Sequence, residues 1–194
     1  MKIIIVGCGR VGQTLAEKLN SDGNDVTVID MSSAKINEVT AKYDVMGVVG
    51  ATYTVQREAG VEKADLFIAV TNSDELNLLC CIIAKREGGC ATIARLKNPE
   101  YSEVAPYLKE ELGLAMVINP EYAAAEEIAR VLRFPSALLI EQFVKGKVEL
   151  IKFKLTKDSA INNLSVREVA AKYRTDTLIC TIERGDEAYI ANSD

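Results

Sequence analysis

The chain opens Met1-Lys2-Ile3-Ile4-Ile5-Val6-Gly7-Cys8-Gly9-Arg10-Val11-Gly12, with Asp30 eighteen residues after Gly12. An apolar run, three glycines spaced G-x-G-x-x-G and a distal acid are the parts of a nucleotide-binding βαβ unit. Gly7 permits a tight turn, Gly9 lets backbone approach a pyrophosphate, and Gly12 lets the next helix sit close on the sheet. The helix N-terminus then offers free N–H groups and a positive dipole end to phosphates. A bare glycine motif is common in loops. Here Ile3–Val6 precedes it, the helix-like Val11-Gly12-Gln13-Thr14-Leu15-Ala16 follows, and a second apolar run, Val26-Thr27-Val28-Ile29, ends on the acid. That context, more than the motif, decides for the fold.

The same alternation runs through the first two-thirds of the chain. Strands are expected over 2–6, 25–29, 45–49, 66–70, 91–95 and 115–118, and helices over 10–21, 32–42, 54–59, 74–87, 101–111 and 120–133. Runs such as Leu66-Phe67-Ile68-Ala69-Val70 are continuous rather than alternating, as strands covered by helices on both faces must be. The expectation is an α/β, Rossmann-like, doubly wound parallel sheet of six strands in the order 3-2-1-4-5-6, with its ligand at the switch point above strands 1 and 4. Ser73-Asp74-Glu75 and Asn119-Pro120-Glu121 read as helix starts. In helix 74–87, Leu76, Leu79, Cys80 and Ile83 form one stripe and Leu78 and Ile82 lie off it; in 120–133, Ala124, Ile128 and Val131 are joined by Ala125, Ala129 and Leu132. Stripes this wide predict either contacts beyond the sheet, such as a partner subunit, or helices wedged in a thick core.

Phe134-Pro135-Ser136 breaks the pattern and sets the expected boundary between a nucleotide-binding domain, 1–134, and a small α+β module, 135–194. In the module, strands are expected over Ala137–Phe143 and Val148–Leu155 with a turn at Lys145-Gly146-Lys147. A helix opened by the capping box Ser165-Val166-Arg167-Glu168 should run to about Tyr173. A strand is expected over Thr177–Ile182, and a turn at Arg184-Gly185-Asp186-Glu187 leads to Ala188-Tyr189-Ile190. Ending straight after a strand, the module reads as cut short.

The composition narrows the partners. With 194 residues, 48% of them hydrophobic, the chain can build a sizeable core. Lys+Arg 23 against Asp+Glu 28 gives a net charge of −5, which argues against nucleic acid or an anionic membrane surface as the main partner. The five cysteines show no C-x-x-C spacing and read as small buried hydrophobes in a reducing cytosol. Histidine is absent, so a zinc site is not expected.

The glycine turn alone leaves open whether the nucleotide is a reagent or a signal. A dehydrogenase needs an acid or base beside the nicotinamide and a substrate pocket. Histidine is missing, no tyrosine has a lysine four residues on, and the second module carries no clustered polar set. A small NAD-dependent oxidoreductase therefore stands as the alternative, and no catalytic residue is assigned. A sensor needs only binding groups and a surface that passes the change on. Such groups end the expected strands. Cys8 and Arg10 lie in the turn, Ala51-Thr52 follow Gly50 where adenine would lie, Thr71-Asn72 end the fourth strand, and Arg95 ends the fifth. Asp30 can accept from a ribose hydroxyl and, with no arginine in Met31-Ser32-Ser33, disfavours NADP.

The segments IIIVGCGRVGQTLAEKL, VTVID, EAGVEKADLFIAVTNSDELNLL, TIARLKNPEY and VINPEYAAAEEIARVL carry a resemblance over residues 1–133. They resemble the regulator-of-potassium-conductance family, and within it the regulatory subunits of Trk potassium uptake. Residues 135–194 resemble the start of that family's C-terminal module. The resemblance implies a cytoplasmic regulator, at the inner face of the membrane, that binds NAD⁺/NADH or ATP/ADP. It also implies a homodimer that assembles into a ring beneath a membrane-embedded potassium transporter or channel. By matching motifs, Gly7, Gly9, Arg10, Val11, Gly12, Asp30, Thr71, Asn72 and Arg95 would line the nucleotide. Glu121 matches a position that approaches a ligand or divalent ion in some relatives; as a first-turn acid it also simply suits its helix dipole. The family's usual acid after the glycine ending strand 3 is missing from Gly50-Ala51-Thr52, and that connection is shorter.

Overall fold

The structure, a computed structural model, describes residues 1–144, 147–173 and 177–191. Its first part alternates strand and helix: β1 (Lys2–Val6), α1 (Arg10–Ser21), β2 (Asp25–Asp30), α2 (Ser33–Lys42), β3 (Met46–Val49), α3 (Tyr53–Glu58), β4 (Leu66–Ala69), α4 (Asp74–Gly88), β5 (Ala91–Arg95), α5 (Pro99–Glu111), β6 (Met116–Ile118) and α6 (Pro120–Arg133). The six strands form one parallel sheet in the order β3-β2-β1-β4-β5-β6, as the alternation predicts.

The continuous apolar strands are explained by which face each residue serves. In β1, Ile3 and Ile5 pack with Ala16 of α1 and Ile36 and Val39 of α2, while Ile4 and Val6 pack with Phe67, Cys80, Cys81 and Ala84 on the opposite face. Period-two geometry splits one apolar run between two cores. Phe67 is fully buried, and removing a buried ring of this kind costs ~3–5 kcal/mol.

Helix ends follow their caps. Ser32, Ser73 and Asn98 accept from Lys35, Leu76 and Glu100 N–H at the starts of α2, α4 and α5. Asn119 accepts from Tyr122 N–H at the start of α6. Asn98 with Pro99 starts α5 two residues earlier than expected. Gly60, at φ +83°, leads into a 3-10 turn, Val61–Lys63, that the sequence reading missed.

The face of α4 also differs from the expected stripe. Its buried residues are Asp74, Asn77, Cys80, Cys81 and Ala84, while Leu79 and Ile82 are exposed. Small and polar residues let this helix approach the sheet closely, and hydropathy alone misplaced the face. Every residue of α6 is exposed or half-buried, Tyr122, Ile128, Val131 and Leu132 among the exposed. It is not wedged in a core.

One core position works against the fold. Gln56 of α3 is 0% exposed, and its amide finds no nitrogen or oxygen partner among the described residues; the one polar group in reach is the Cys80 thiol, a weak donor and acceptor. Gln56→Met keeps the volume and removes the unsatisfied amide, so it should stabilise the chain by ~1 kcal/mol. Urea unfolding would read this as a higher midpoint at unchanged slope; a lower midpoint would mean that the amide has a partner after all.

Contacts divide the chain into compact units 1–127 and 128–194. The second holds the antiparallel pair β7 (Ala137–Phe143) and β8 (Val148–Phe153), the helix α7 (Val166–Tyr173), and the antiparallel pair β9 (Thr181–Arg184) and β10 (Glu187–Ile190). The capping box is made: Ser165 N–H and hydroxyl donate to Glu168 Oε2 at 2.7 and 2.8 Å, and Glu168 N–H donates to Ser165 Oγ at 3.3 Å. Two strands are shorter than expected. β8 stops at Phe153, and of Thr177–Ile182 only Thr181 and Ile182 are extended in a sheet, because β9 is fixed by its pairing with β10 about the turn at Gly185. Lys145 and Gly146 of the expected hairpin turn lie outside the described residues. No described residue of 128–194 is buried.

Candidate nucleotide site

A parallel sheet places the C-terminal ends of all its strands along one edge, and every candidate residue sits there. The turn after β1 is shaped by glycine. Gly7, at φ +105°, donates to Ile29 O at 2.7 Å, and a side chain on it would meet Thr71 N at 2.9 Å. A Cβ on Gly12 would lie 1.8 Å from Gly7 O. These two glycines are required by the fold itself. Gly9 is not: its φ of −76° suits any residue, and a Cβ there would meet nothing within 4 Å.

Gly9 is the N-cap of α1. That helix has neither a capping side chain nor an acid in its first turn, whereas α2, α4, α5 and α6 have side-chain caps. The open space over Gly9 therefore faces uncompensated N–H groups and the positive end of a helix, an arrangement suited to a phosphate. Arg10 follows, exposed, with no ion pair among the described residues. Val11 packs into the core beneath. Cys8 contributes no side chain to the cradle. Its thiol is buried and pushed up to about 11, first by desolvation and then by Asp30, so it stays protonated and apolar.

Asp30 ends β2 beside the turn. Its Oδ2 accepts from Cys8 N–H at 2.7 Å and its Oδ1 from Ser32 N–H at 2.8 Å, with Lys35 Nζ 3.7 Å away. The carboxylate thus locks the glycine turn to the β2–α2 connection and keeps further lone pairs for a ribose hydroxyl. Asp30→Ala should weaken NADH, NAD⁺, ATP and ADP alike, about tenfold each, and cost ~1–3 kcal/mol of stability through the stranded Cys8 N–H. Calorimetric titration beside thermal unfolding separates the two effects; unchanged affinities would put the ribose elsewhere. Next to Asp30 lies the end of β3, where Gly50 N–H donates to Asp30 O at 2.9 Å. Thr52 begins α3 without a capping bond from its hydroxyl, which instead meets Thr54 Oγ1 at 3.2 Å, and Ala51 supplies no acid.

Across the switch point the geometry is more committed than the sequence suggests. Thr71 N–H and hydroxyl both donate to Asn77 Oδ1, at 2.8 and 2.7 Å. Asn72 beside it is exposed. The Arg95 side chain is only 11% exposed, and its Nη2 is paired with Glu121 Oε1 in the first turn of α6. Its Nε is buried without a partner. The Glu121 carboxyl is held below the usual carboxylate range, first by backbone N–H at the helix start and also by Arg95. Asp74, which the sequence reading treated only as a helix-start acid, ties the neighbouring loops together: its Oδ2 accepts from Lys97 and Asn98 N–H at 2.9 and 2.8 Å. Asn77 was missed altogether. The available signal was a carboxamide set between leucines in an otherwise apolar helix.

The family description "TrkA-N domain" matches residues 3–120. The chain belongs to the TrkA-N family. Its sequence is similar to the Trk system potassium uptake protein TrkA homolog of Archaeoglobus fulgidus, 36% identical over 197 residues, covering 96% of this chain and 44% of that protein. The chain thus spans less than half the length of that relative. Among solved structures, the TrkA-N domain of inner membrane protein ybaL from Escherichia coli superposes with a TM-score of 0.60 at 27% identity, over 68% of this chain and 96% of that one. GsuK bound to ADP superposes with a TM-score of 0.57 at 22% identity, over 69% of this chain and 34% of that one, and shares the fold. The resemblance read from the segments around the glycine turn, the Val-Thr-Asn end of β4 and the Ile-Ala-Arg end of β5 is that of a TrkA-N domain.

Proposed function

We propose that the chain is a nucleotide-sensing regulatory subunit of a membrane potassium transporter or channel, and that it carries out no chemistry on the nucleotide. The open space above Gly9 at the uncapped start of α1 carries this reading, because the fold does not itself require a glycine there. In this reading the pyrophosphate lies on Gly9, Arg10 and the α1 N-terminus, the ribose on Asp30, and the adenine by Ala51 and Thr52. The far end of the ligand reaches Thr71, Asn72 and Arg95. The ligand is NAD⁺ or NADH, with ATP and ADP as competitors; GsuK, which shares the fold, has been solved with ADP. A potassium transporter as partner is supported by the curated relative, a Trk system potassium uptake protein homolog.

The domain division we propose is a nucleotide-binding domain over 1–134 and part of a C-terminal module over 135–194, which holds no buried described residue of its own. Homodimers, and rings built from them, are supported by the exposed apolar side chains of Ile128, Val131 and Leu132 on α6. Among the described residues no helix is long and apolar enough to cross a membrane. We place the subunit in the cytoplasm, held at the membrane by its partner.

The deciding experiment is a competitive titration of NADH, NAD⁺, ATP, ADP and NADP. Binding of the first four with exclusion of NADP supports the reading, and binding of none overturns it. Turnover of a hydride donor that vanishes on substitution of Gly9 would establish the oxidoreductase instead.

A further inference from the structure

Asn77 is 0% exposed, and its carboxamide is saturated. Oδ1 accepts from Thr71 N–H at 2.8 Å and Thr71 Oγ1 at 2.7 Å; Nδ2 donates to Thr71 O at 3.2 Å and to Arg95 O at 2.8 Å. An amide offers two donors and two lone pairs, and all four are used. Its orientation follows from the partners: a backbone N–H can only donate, and the two carbonyls can only accept.

Thr71 follows β4 and Arg95 ends β5, just beyond the paired residues Ala69 and Ala94, and the Asn77 carboxamide is bonded to both main chains. Thr71 has a single hydroxyl proton, and its shortest acceptor is Asn77 Oδ1, with Ser73 O at 3.2 Å as the other. The Arg95 main chain is held by its pairing with Ile118 of β6 on one side and by Asn77 Nδ2 at its carbonyl, and its guanidinium reaches to Glu121. Asn77 thus fixes the carbonyl of the residue whose side chain makes that ion pair.

We propose that Asn77 is a positioning residue of the nucleotide site, which sets the Arg95 side chain for the ligand by fixing the main chain of Arg95 against that of Thr71. This rests on the reading that Arg95 reaches the nucleotide. The residue touches no ligand; it acts through Arg95. A saturated buried network of this kind is stiff, and losing one half of it leaves carbonyls facing an unsuitable neighbour.

Asn77→Asp is the informative variant. It keeps the acceptor for Thr71 and replaces two N–H donors with one carboxyl O–H, which can serve only one of Thr71 O and Arg95 O. Calorimetric titration of the full chain with NADH and with ADP, at equal folded fraction, should show affinity lowered about tenfold. The same substitution made in an Arg95→Gln background should cost less than twofold further, because the residue it positions is already gone. A purely structural role predicts the reverse: a lower thermal midpoint with affinity unchanged, or equal losses in both backgrounds, and either result overturns the proposal. Should Asn77→Asp not fold, Asn77→Ser, which retains one donor and one acceptor in a smaller side chain, carries the same cycle. If the parent chain binds neither nucleotide, the functional reading fails and this inference with it. If the parent binds and the variants bind equally well, this inference alone fails.

Discussion

Gly9→Ala is expected to fold normally and to bind NADH and ADP on the order of a hundredfold more weakly, ~2.8 kcal/mol. Two opposing effects keep the stability near the parent value. Alanine is a poorer N-cap than glycine, at a cost of up to ~1 kcal/mol. It also restricts the unfolded chain, which returns ~0.4–1 kcal/mol at a position whose φ and ψ alanine can adopt. Gly9 has such a backbone, and a methyl there meets no protein atom. The same methyl would stand where a phosphate must lie to reach the N–H groups opening α1. Hydrogen bonds from backbone to a charged group contribute ~1.5–3 kcal/mol each, so holding the phosphate off by one carbon removes the equivalent of one or two of them. Thermal unfolding and calorimetry on one preparation check both halves. Unchanged affinity would show that no phosphate uses this cradle.

Gly12→Ala should behave in the opposite way and damage the fold first. Its Cβ would lie 1.8 Å from Gly7 O, a backbone atom with no rotamer to escape into. Either α1 tilts off the sheet or the turn after β1 moves. Overpacking of this severity costs ~3 kcal/mol or more, and in a chain of this size a thermal midpoint falls by about 10 °C. Nucleotide binding is lost as a consequence, since Gly7, Cys8 and Gly9 move with the turn. The contrast is the test of the assignment: one motif glycine serves the ligand and another serves the protein. A Gly12→Ala chain as stable as the parent would contradict the close packing of α1 on the turn.

The difference between those glycines is not visible in the motif, which gives both the same letter. What was legible is what repeats. Apolar strands alternating with capped helices give the six-stranded sheet and its order, and a parallel sheet then places Gly7 to Gly12, Asp30, Thr71 and Arg95 along one edge without further information. The caps at Ser73 and Asn119 set the starts of α4 and α6, whereas the cap at Asn98, not read from the sequence, starts α5 two residues earlier than expected. What was not legible depends on contacts between distant segments. The buried face of α4 runs through Asp74 and Asn77 because a strand end and a loop supply their partners, and hydropathy scores such residues as exposed. Gln56 was hidden for the same reason. Its burial follows from how α3 is held over the core, which no periodicity reveals. The strand expected at Thr177 starts at Thr181 because pairing, not β-propensity, fixes its register.

The close approach of Gly7 to Thr71 has a mechanical side. A Cβ on Gly7 would meet Thr71 N at 2.9 Å, so the turn and the end of β4 lie backbone against backbone, without a side chain between them to absorb motion. Asp30 grips the turn from one flank, and Asn77 grips Thr71 from the other. The two halves of the cleft are thus geared rather than hinged. A shift of the glycine turn toward β4 would have to displace the end of that strand, which pairs with the strand that carries Arg95.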